Sequence, residues 1–329
     1  METHLQIVRQ LADGEFHSGE KLAERFGISR AAVWKAVHKA GEVLGLEVES
    51  RRGCGYRLTA PLELLDPQVI LAGISHEAQR HIARLEIHDN IDSTNSHLMR
   101  EAHAGAPTGT LCLAERQTAG RGRRGRTWVS PFGSNVYLSV LWRYPFGPAE
   151  LGGLSLASGT AIAGALQAQG VEGIALKWPN DVLWQRRKLA GLLLEVAGEA
   201  HGPSLVVVGL GLNTRLRGLR AAEIDQPWVD LDTVLGPDGY GRNRLAAQVA
   251  ERLIGALERY GREGLTPFLE EWERFDLYRG ERVEVRLGDR RIVGIHAGIT
   301  EQGALRLDVG GTLQAFQAGE VSLRPADNH

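Results

Sequence analysis

Cysteine is almost absent from this chain of 329 residues, which contains only Cys54 and Cys112. Neither cysteine belongs to a C-x-x-C pair, and neither lies in a cysteine–histidine cluster with metal-ligand spacing. The sequence therefore predicts no disulfide framework and no structural zinc site, and it favours a protein of the reducing cytoplasm.

Long apolar runs and an excess of charge of one sign are also missing. No apolar stretch approaches the ~18–20 residues that a membrane-spanning helix needs, and the initial METHLQIVRQ lacks the pattern of a secretory signal. The 38 basic and 40 acidic residues give a net charge of −2, so nucleic-acid binding has to come from a local basic patch. The length fits two or three domains.

Lysine is scarce, because only five of the 38 basic residues are lysine and the other 33 are arginine. Beyond residue 40 the only lysines are Lys177 and Lys188. A lysine retained in such a chain is a candidate for a site that needs a compact ammonium rather than a planar guanidinium. A genome that favours arginine codons, with a few lysines left by chance, is the alternative explanation.

Residues 1–60 have the pattern of a small helical unit followed by a hairpin. Ser18 is placed to cap a short helix that Gly27 ends, and Ser29 is placed to cap a second helix with an apolar inner face. This is the helix-turn-helix arrangement. Gly41 lowers the propensity of the second helix by about 1 kcal/mol relative to alanine, so we expect that helix to fray or to end early.

The chain after the second helix indicates a basic wing. Residues 46–50 and 56–58 alternate on either side of the turn 51–55, as two short strands joined by a hairpin do. A basic winged helix-turn-helix is typical of DNA binding, whereas a packing module with a solvated charged face is the alternative. The candidate DNA-binding residues are Ser29, Arg30, Trp34, Lys35, His38, Lys39, Arg51 and Arg52.

The rest of the chain divides into a linker, a mixed region and a β-rich end. Residues 59–67 carry two prolines and are the candidate linker, and residues 68–84 are predicted to form a helix. Residues 278–325 have short alternating runs between glycine turns, which favours a small β-barrel. Between these segments we expect strands at 85–90, 111–115, 135–142, 174–178, 190–197 and 204–212, and helices at 94–104, 151–169, 242–260 and 264–273.

The segment Gly120-Arg121-Gly122-Arg123-Arg124-Gly125-Arg126 cannot be a core element. Glycine lets a backbone approach a ligand closely, and arginine supplies forked donors for phosphate or carboxylate. We interpret the segment as a loop that wraps an anion such as a nucleotide phosphate, although it is not a Walker A loop. An RGG-like nucleic-acid segment and a solvated surface loop are the alternatives.

Two neighbouring segments bring a carboxylate and a lysine within reach of each other. KWPND (177–181) follows a strand-like run, and RKLAGLLLE (187–195) comes shortly after it. An exposed hairpin of the two segments places Asp181 near Lys188, which suits Mg-nucleotide chemistry because the metal and the ammonium share the phosphate charge. A surface ion pair is the alternative, and the scarcity of lysine favours function.

Two further segments give weaker indications of ligand binding. Gly209 and Gly211 lie on one face of the strand 206–213, where they either clear room for a ligand or allow close packing of strands. The run Asp92-Ser93-Thr94-Asn95 precedes a helix and on local grounds is an N-cap. The same amides and hydroxyls are also suited to polar ligand atoms.

Taken together and in order, six segments resemble the signature of the biotin protein ligase family. Each segment is weak alone, whereas the ordered set is specific. The N-terminal unit and its wing resemble the bifunctional subclass that also represses the biotin operon, and the C-terminal region resembles the small SH3-like domain of that family. The six segments are IDSTN (91–95), ERQTAGRGRRGRTW (115–128), SPFGSNVYLS (130–139), KWPNDVLW (177–184), RKLAGLLLE (187–195) and VVGLGLN (207–213).

The resemblance implies an α+β multidomain fold. A winged helix-turn-helix DNA-binding domain is expected at 1–62, a mixed-sheet α/β catalytic domain of the class II synthetase type at 66–276, and an SH3-like β-barrel at 277–329. The implied reaction converts biotin and MgATP to biotinoyl-5′-AMP, which a lysine of a biotin carrier domain, such as that of acetyl-CoA carboxylase, then attacks. Biotin, ATP and Mg²⁺ are the implied ligands, without a tightly bound prosthetic group.

The resemblance also implies roles for individual residues. Lys188 stabilises the transition state, Arg121 and Arg123 close over the acyl phosphate, and Asp181 positions Lys188 or the metal. The implied biotin-binding residues are Ser93, Thr94, Asn95, Gln117, Gly120, Arg121, Gly122, Arg123, Lys188, Gly209 and Gly211. The implied nucleotide-binding residues are Arg123, Arg124, Arg126, Trp128, Asn180, Lys188, Asn213 and Trp228, the last within the expected adenylate-covering loop 217–232.

The resemblance further implies regulation. Biotinoyl-AMP is the corepressor of the family, and the homodimer that it favours binds a palindromic operator of the biotin genes. Ala40, Cys54 and Trp34 depart from the residues expected in related repressors. The alternatives are a ligase whose N-terminal unit does not bind DNA, and a biotin-sensing transcription factor without ligase activity; a lipoate ligase fits residues 120–126 and 177–181 less well.

Overall fold

The computed structural model describes residues 2–216, 224–318 and 321–325. Its N-terminal unit packs three helices against a two-stranded antiparallel sheet. The elements are α1 (Thr3–Leu11), α2 (Gly19–Phe26), α3 (Arg30–Leu44), β1 (Val48–Arg51) and β2 (Gly55–Leu58). This arrangement is the predicted helix-turn-helix with a two-stranded wing.

The turn between α2 and α3 forms as the sequence predicts. The hydroxyls of Ser18 and Ser29 accept hydrogen bonds from the first-turn backbone N–H groups of α2 and α3. Gly27 ends α2 with a φ of 63°, a left-handed conformation that glycine adopts without steric cost.

The prediction that α3 would fray or end at Gly41 is wrong. The helix continues to Leu44, because Ala40 and Leu44 bury their side chains in the core of the unit and tertiary packing outweighs the low propensity of one glycine. A Cβ at Gly41 would lie 3.3 Å from the backbone oxygen of Leu46. Glycine therefore permits the chain that leaves the helix to pass close to it.

The central unit is a mixed sheet with helices on both faces. Its seven strands are β3 (Arg84–His88), β4 (Thr110–Ala114), β5 (Val136–Tyr144), β6 (Ile174–Lys177), β7 (Asp181–Trp184), β8 (Arg187–Gly198) and β9 (Ser204–Leu212). They are ordered β3-β4-β5-β9-β8-β7-β6, and among these pairs only β3 and β4 run parallel. The helices are α4 (Pro67–Ala72), α5 (His76–Gln79), α6 (Thr94–His103), α7 (Leu154–Ala168), α8 (Leu231–Leu235), α9 (Arg242–Glu263) and α10 (Leu269–Phe275).

Alternating residues of the strands face different helices. Leu111 and Leu113 of β4 belong to the main core, which also contains the buried residues of α7 and α9. Cys112, which lies between them, packs instead with Leu98 of α6 in a smaller cluster. The candidate residues at the start of α6 therefore lie on the face of the sheet opposite to α7 and α9.

The single helix predicted over 68–84 is wrong. The chain forms the short helices α4 and α5, and strand β3 begins at Arg84. Gly73 closes α4, and Ser75 starts α5 by accepting a hydrogen bond from the backbone N–H of Ala78. A Cβ at Gly73 would lie 2.8 Å from the Cβ of Ala247, so the break lets the segment pack closely against α9.

The C-terminal unit is a five-stranded antiparallel sheet that shares its core with the central unit. Its strands are β10 (Arg282–Leu287), β11 (Arg290–Ile299), β12 (Leu305–Val309), β13 (Thr312–Phe316) and β14 (Val321–Pro325), in the order β13-β12-β11-β10-β14. The indole N–H of Trp178 donates to the backbone oxygen of Gly303 at 3.0 Å.

The predicted α+β multidomain class is confirmed. In the described ranges no helix is both long and apolar enough to cross a membrane.

Candidate functional site

The hairpin of β7 and β8 brings together the predicted carboxylate and lysine. Nζ of Lys188 lies 2.7 Å from Oδ1 of Asp181. The turn places Gln185 and Arg186 at φ values of 46° and 61°. The predicted proximity is confirmed, and Gln185 and Arg186 at the tip of the hairpin are exposed. The side chains of Lys188 and Asp181 are less exposed than predicted, at 15% and 17%. Strands on both sides cover β8, because the hairpin lies inside the sheet.

Lys177 is a second ammonium at the same carboxylate. Its Nζ lies 3.9 Å from Oδ2 of Asp181. Burial lowers the pKa of Lys177, and the attraction of Asp181 opposes that shift. The family resemblance implied no role for Lys177. The scarcity of lysine, however, had made both Lys177 and Lys188 candidates for a functional site.

The backbone of Lys188 is held by the chain that follows the undescribed residues 217–223. Its N–H donates to the oxygen of Pro227, and its oxygen accepts from the N–H of Val229, both at 2.9 Å. The side-chain amide of Asn213 donates to the oxygens of Lys188 and Val229 at 3.3 and 3.1 Å. Asn213 and the chain at 227–229, which includes Trp228, thus fix the backbone of Lys188. The part of the adenylate-covering loop predicted at 217–223 lies outside the described residues.

The glycine–arginine segment 120–126 forms an ordered loop beside β8. The N–H of Gly122 donates to the oxygen of Arg126 at 2.7 Å, and Arg124 adopts a left-handed φ of 58°. Arg121 donates to Oε1 of Glu195 at 2.8 Å and to the hydroxyl of Ser96 at 3.3 Å. The loop is therefore held to β8 and α6 by Arg121.

The other arginines of this loop differ in their surroundings. Arg123 donates to Oδ1 of Asn180 at 3.3 Å and also to the backbone oxygen of Ala318. Burial lowers the pKa of Arg123, while Asp181 acts in the opposite direction. The side chains of Arg124 and Arg126 are exposed and have no hydrogen-bonding or ion-pair partner within the described part of the chain, so their guanidinium groups are available to an anion.

The start of α6 supplies a buried polar cluster. Ser93 caps the helix, as predicted on local grounds, by accepting from the N–H of Ser96. Both the N–H and the hydroxyl of Thr94 donate to Oε1 of Gln117, at 2.9 and 3.2 Å. Ser93, Thr94 and Asn95 are all less than 5% exposed. Polar groups buried to this degree need partners, and neighbouring residues supply them: Ser96 for Ser93, Gln117 for Thr94 and Glu195 for Asn95.

The two glycines of β9, Gly209 and Gly211, do not leave empty space against the strand. A Cβ at Gly209 would lie 2.0 Å from Oδ1 of Asn95, and a Cβ at Gly211 would lie 2.3 Å from Cε2 of Trp128. The interpretation that they clear room for a ligand directly against the strand is corrected: they admit the side chains of Asn95 and Trp128. A Cβ at Gly120 would likewise lie 2.5 Å from the oxygen of Trp128.

Trp128 carries a buried side-chain donor next to the Lys188 side chain. Its indole Nε1 is buried and has no hydrogen-bond partner among the described residues, although buried indole N–H groups usually find one. Nζ of Lys188 lies 5.3 Å from the centre of the Trp128 ring. The Trp128 ring and the Lys188 ammonium thus lie side by side, an arrangement suited to a polar, anionic ligand.

Three residues of the site received no role from the sequence. The hydroxyl of Ser139 donates to the hydroxyl of Thr94 at 2.8 Å and to Oδ1 of Asn95 at 2.7 Å. Oε2 of Glu195 accepts from Asn95 at 2.9 Å, and a Cβ at Gly191 would lie 2.9 Å from the Lys188 side chain. All three lie inside two of the six segments that resemble the family signature, 130–139 and 187–195. Their position in those segments was the sequence signal that could have identified them.

The N-terminal unit presents its candidate residues to solvent. Helix α3 exposes a surface stripe opposite its buried face, and Trp34 on that stripe is 50% exposed. Lys39 pairs with Glu2 at 3.3 Å, and Arg51 pairs with Glu49 at 3.0 Å. All eight candidates are exposed, and Arg30, Lys35 and Arg52 have no ion-pair partner among the described residues.

Family models match all three parts of the chain. The biotin/lipoate A/B protein ligase family matches residues 88–213, an HTH domain matches residues 3–57, and the biotin protein ligase C terminal domain matches residues 279–324. These ranges contain the site described above, the helix-turn-helix with most of its wing, and the C-terminal sheet.

Individual proteins are similar over most of the chain. The bifunctional ligase/repressor BirA of Escherichia coli (strain K12) is 41% identical over 98% of both chains. The biotin--[acetyl-CoA-carboxylase] ligase of Mycobacterium tuberculosis is 36% identical, over 80% of this chain and 97% of that protein. A structure of the biotin protein ligase from Aquifex aeolicus in complex with biotin and ATP has a TM-score of 0.64 at 30% identity, covering 74% of this chain and 100% of that one. The chain belongs to the biotin protein ligase family, in the group of bifunctional ligase/repressors that carry an N-terminal helix-turn-helix.

Proposed function

We propose that this protein activates biotin with ATP and transfers it to a lysine of the carrier domain of acetyl-CoA carboxylase. The observation that carries this proposal is the cationic group around one carboxylate: Lys188 and Lys177 contact Asp181, and Arg123 lies beside Asn180. Two ammonium groups share the one carboxylate of Asp181, so the cluster is suited to a polyanion such as a nucleoside triphosphate. The ring of Trp128 lies beside this cluster, with its centre 5.3 Å from Nζ of Lys188.

In the first step, the biotin carboxylate attacks the α-phosphorus of ATP. A C–O–P bond forms, the bond between the α-phosphorus and its bridging oxygen breaks, and pyrophosphate leaves. Negative charge grows on the phosphoryl oxygens in the transition state, where a pre-positioned ammonium is most effective. Asp181 at 2.7 Å and the fixed backbone of Lys188 hold that ammonium in place before the substrates arrive.

In the second step, a lysine amine of the carrier attacks the acyl carbon of biotinoyl-AMP. An N–C bond forms, the C–O bond to the phosphate breaks, and AMP and a proton are released. The enzyme supplies no nucleophile in either step. Its contribution is charge stabilisation and orientation of the two reacting groups.

We assign the buried polar cluster to the biotin side of the site. Biotin-binding roles go to Ser93, Thr94, Asn95 and Gln117, with Gly120, Gly122, Gly209 and Gly211 shaping the walls that hold them. Arg121 and Arg123 border the acyl phosphate, and Arg124, Arg126, Trp128, Asn180 and Trp228 border the nucleotide. Asn213 acts indirectly, through its hydrogen bond to the backbone of Lys188.

Magnesium enters this proposal with the nucleotide. Among the described residues, the one group of three or more side chains with metal-ligand chemistry lies elsewhere, around Glu86. Asp181 is the carboxylate at the lysine cluster, and with phosphate oxygens it would hold Mg²⁺, because magnesium at nucleotide sites is commonly bound by one or two carboxylates plus phosphates. When bound, the ion supplies further neutralisation of the phosphate charge.

We further propose that the form with biotinoyl-AMP bound dimerises and represses biotin genes. The exposed stripe of α3 and the wing supply the basic surface that reads an operator half-site. A two-fold symmetric dimer presents two such surfaces to a palindromic operator, because the half-site spacing mirrors the symmetry of the protein. Binding of the adenylate then shifts the population toward the dimer.

Biotin transfer is the test of the ligase proposal. The purified chain is incubated with biotin, MgATP and an apo biotin carrier domain, and the intact mass of the carrier is measured. We expect the mass of one biotinoyl group on one lysine, only when ATP is present. Biotin binding without any gain of mass would instead support the biotin-sensing transcription factor, and it would contradict the ligase proposal.

The variant Lys35→Ala is expected to weaken operator binding and leave biotin transfer unchanged. Lys35 is exposed on α3 without an ion-pair partner in the described residues, so its ammonium is available to a DNA phosphate. Loss of one phosphate contact lowers the slope of log affinity against log salt by about one. Fluorescence anisotropy with operator DNA over a range of salt concentrations measures that slope.

The matched control for Lys35 is Arg290→Ala, which removes one positive charge from an exposed position on β11 of the C-terminal sheet. We expect its salt slope to equal that of the wild type. Equal slopes in all three proteins would show that α3 does not contact DNA phosphates. That result would favour a ligase whose N-terminal unit serves only for packing.

A further inference from the structure

Four side chains with metal-ligand chemistry meet at the edge of the central sheet. Glu86 and His88 lie two residues apart on β3, and Cys112 pairs directly with Glu86 across β3 and β4. His97 reaches the group from α6, which covers this face of the sheet. Their donor atoms all lie within 4.8 Å of one another. In the chain these residues span 27 positions without a recognisable spacing, which is why the sequence predicted no such site.

The donor atoms lie close enough to share one ion after small movements. Nε2 of His97 lies 2.7 Å and Nε2 of His88 lies 3.3 Å from Oε2 of Glu86. Around a tetrahedral zinc ion, bond lengths of about 2.0–2.3 Å place neighbouring donor atoms about 3.3–3.6 Å apart. Rotamer adjustments of about an ångström are therefore enough to bring the four donors around one ion.

We propose that Glu86, His88, His97 and Cys112 bind a divalent transition metal ion, with zinc as the best match. One thiolate, two imidazoles and one carboxylate form a donor set that zinc uses, whereas magnesium and calcium prefer oxygen ligands alone. The thiolate and the carboxylate also balance the two positive charges of the ion. Binding forms the metal–sulfur bond and releases the thiol proton of Cys112 to solvent.

The surroundings support a site that takes up metal from solution. The side chains of His88, His97 and Glu86 are 33%, 18% and 19% exposed, while Cys112 is buried. The donors thus face solvent on one side, and the thiol of Cys112 closes the group on the inner side. Arg84 holds Oε1 of Glu86 at 2.7 Å, which orients the carboxylate and leaves Oε2 facing the two histidines.

Such an ion has a structural consequence. With four protein ligands the coordination shell is complete, which is typical of structural rather than catalytic zinc. The ion would join the outer strand β3 to β4 and to α6. Because Ser93 caps α6 and Thr94 and Asn95 begin it, the same ion would also fix the first turn that carries the biotin-side residues. This site does not depend on the proposed ligase activity.

Cobalt is the probe that tests this site. The full chain, free of any histidine tag, is titrated with Co²⁺ and then with Zn²⁺. We expect one Co²⁺ per chain, visible absorption of tetrahedral cobalt, and a thiolate-to-cobalt charge-transfer band that Zn²⁺ removes. The thermal midpoint of unfolding should rise with Zn²⁺ concentration, because an ion that binds only the folded state stabilises it. A wild-type chain without these signals would overturn the proposal.

Matched variants assign the signal to the four residues. Cys112→Ser should abolish the charge-transfer band, and Cys54→Ser in the exposed wing should retain it. His97→Gln should lower cobalt affinity by roughly 10-fold or more, and His103→Gln, an exposed histidine of the same helix, should not. A band that persists in Cys112→Ser, or equal effects of the two histidine variants, would contradict the site. If Cys112→Ser does not fold, the histidine pair decides.

Discussion

Replacing Lys188 with alanine is expected to slow the formation of biotinoyl-AMP by about 10²- to 10³-fold, the usual cost of removing one preorganised electrostatic group from a reaction site. The ammonium of Lys188 lies 2.7 Å from Asp181 and is only 15% exposed, so water cannot replace it effectively. The measurement is pyrophosphate release from biotin and MgATP in the absence of a carrier domain. Wild-type rates in Lys188→Ala would show that the catalytic assignment is wrong.

Lys188→Arg separates the need for an ammonium from the need for a positive charge. The Lys188 side chain packs so closely on Gly191 that a Cβ there would lie 2.9 Å from its Cε. The broader, planar guanidinium does not fit the same position, so we expect the arginine variant to remain far below the wild-type rate. Thermal unfolding of both variants provides the folding control. Full recovery with arginine would mean that any positive charge is sufficient.

Local sequence signals were enough to predict much of the fold. Ser18, Ser29 and Ser93 each cap the helix that follows them, and Gly27 ends α2 as its type suggests. These are interactions among residues that are neighbours in the chain. The pairing of Asp181 with Lys188 was predictable for the same reason, because a short hairpin brings residues of adjacent strands together.

Tertiary contacts account for what the sequence did not reveal. Gly41 remains helical because of the packing around Ala40 and Leu44, and Gly73 breaks a predicted helix so that it can approach Ala247. The side chains that occupy the space beside Gly209 and Gly211 come from positions more than 80 residues away. A pattern within one short segment cannot predict contacts between residues so far apart in the sequence. The same is true of Glu86 and Cys112, which are joined only by strand pairing.

A buried ion pair connects the linker to the central sheet. Nη1 of Arg242 lies 2.6 Å from Oε2 of Glu115, and their side chains are only 5% and 0% exposed. Arg242 also donates to the backbone oxygens of Glu63 and Asn135. The other oxygen of Glu115 accepts from the N–H of Leu65 at 2.6 Å. The pair thus joins the start of α9 to the end of β4 and to residues 63–65, between the N-terminal unit and the catalytic sheet.

The variant Arg242→Met is expected to lower the free energy of unfolding by about 3–5 kcal/mol, because it leaves the Glu115 carboxylate buried without its partner. Urea unfolding followed by tryptophan fluorescence measures the change. Arg244→Met, an exposed position of the same helix, is the matched control and should change stability by about 0.5 kcal/mol or less.

The loss of stability in Arg242→Met should come mainly from the Glu115 carboxylate that stays buried without a partner, and less from the lost attraction between the two charges. A second substitution distinguishes these two causes. Adding Glu115→Leu to Arg242→Met removes the buried carboxylate, so the double variant should be more stable than Arg242→Met alone. If the double variant is less stable by the sum of both single losses, the hydrogen bonds to residues 63–65 and Asn135 carry the stability instead. In that case Arg242 acts mainly as a clamp on the backbone of the linker.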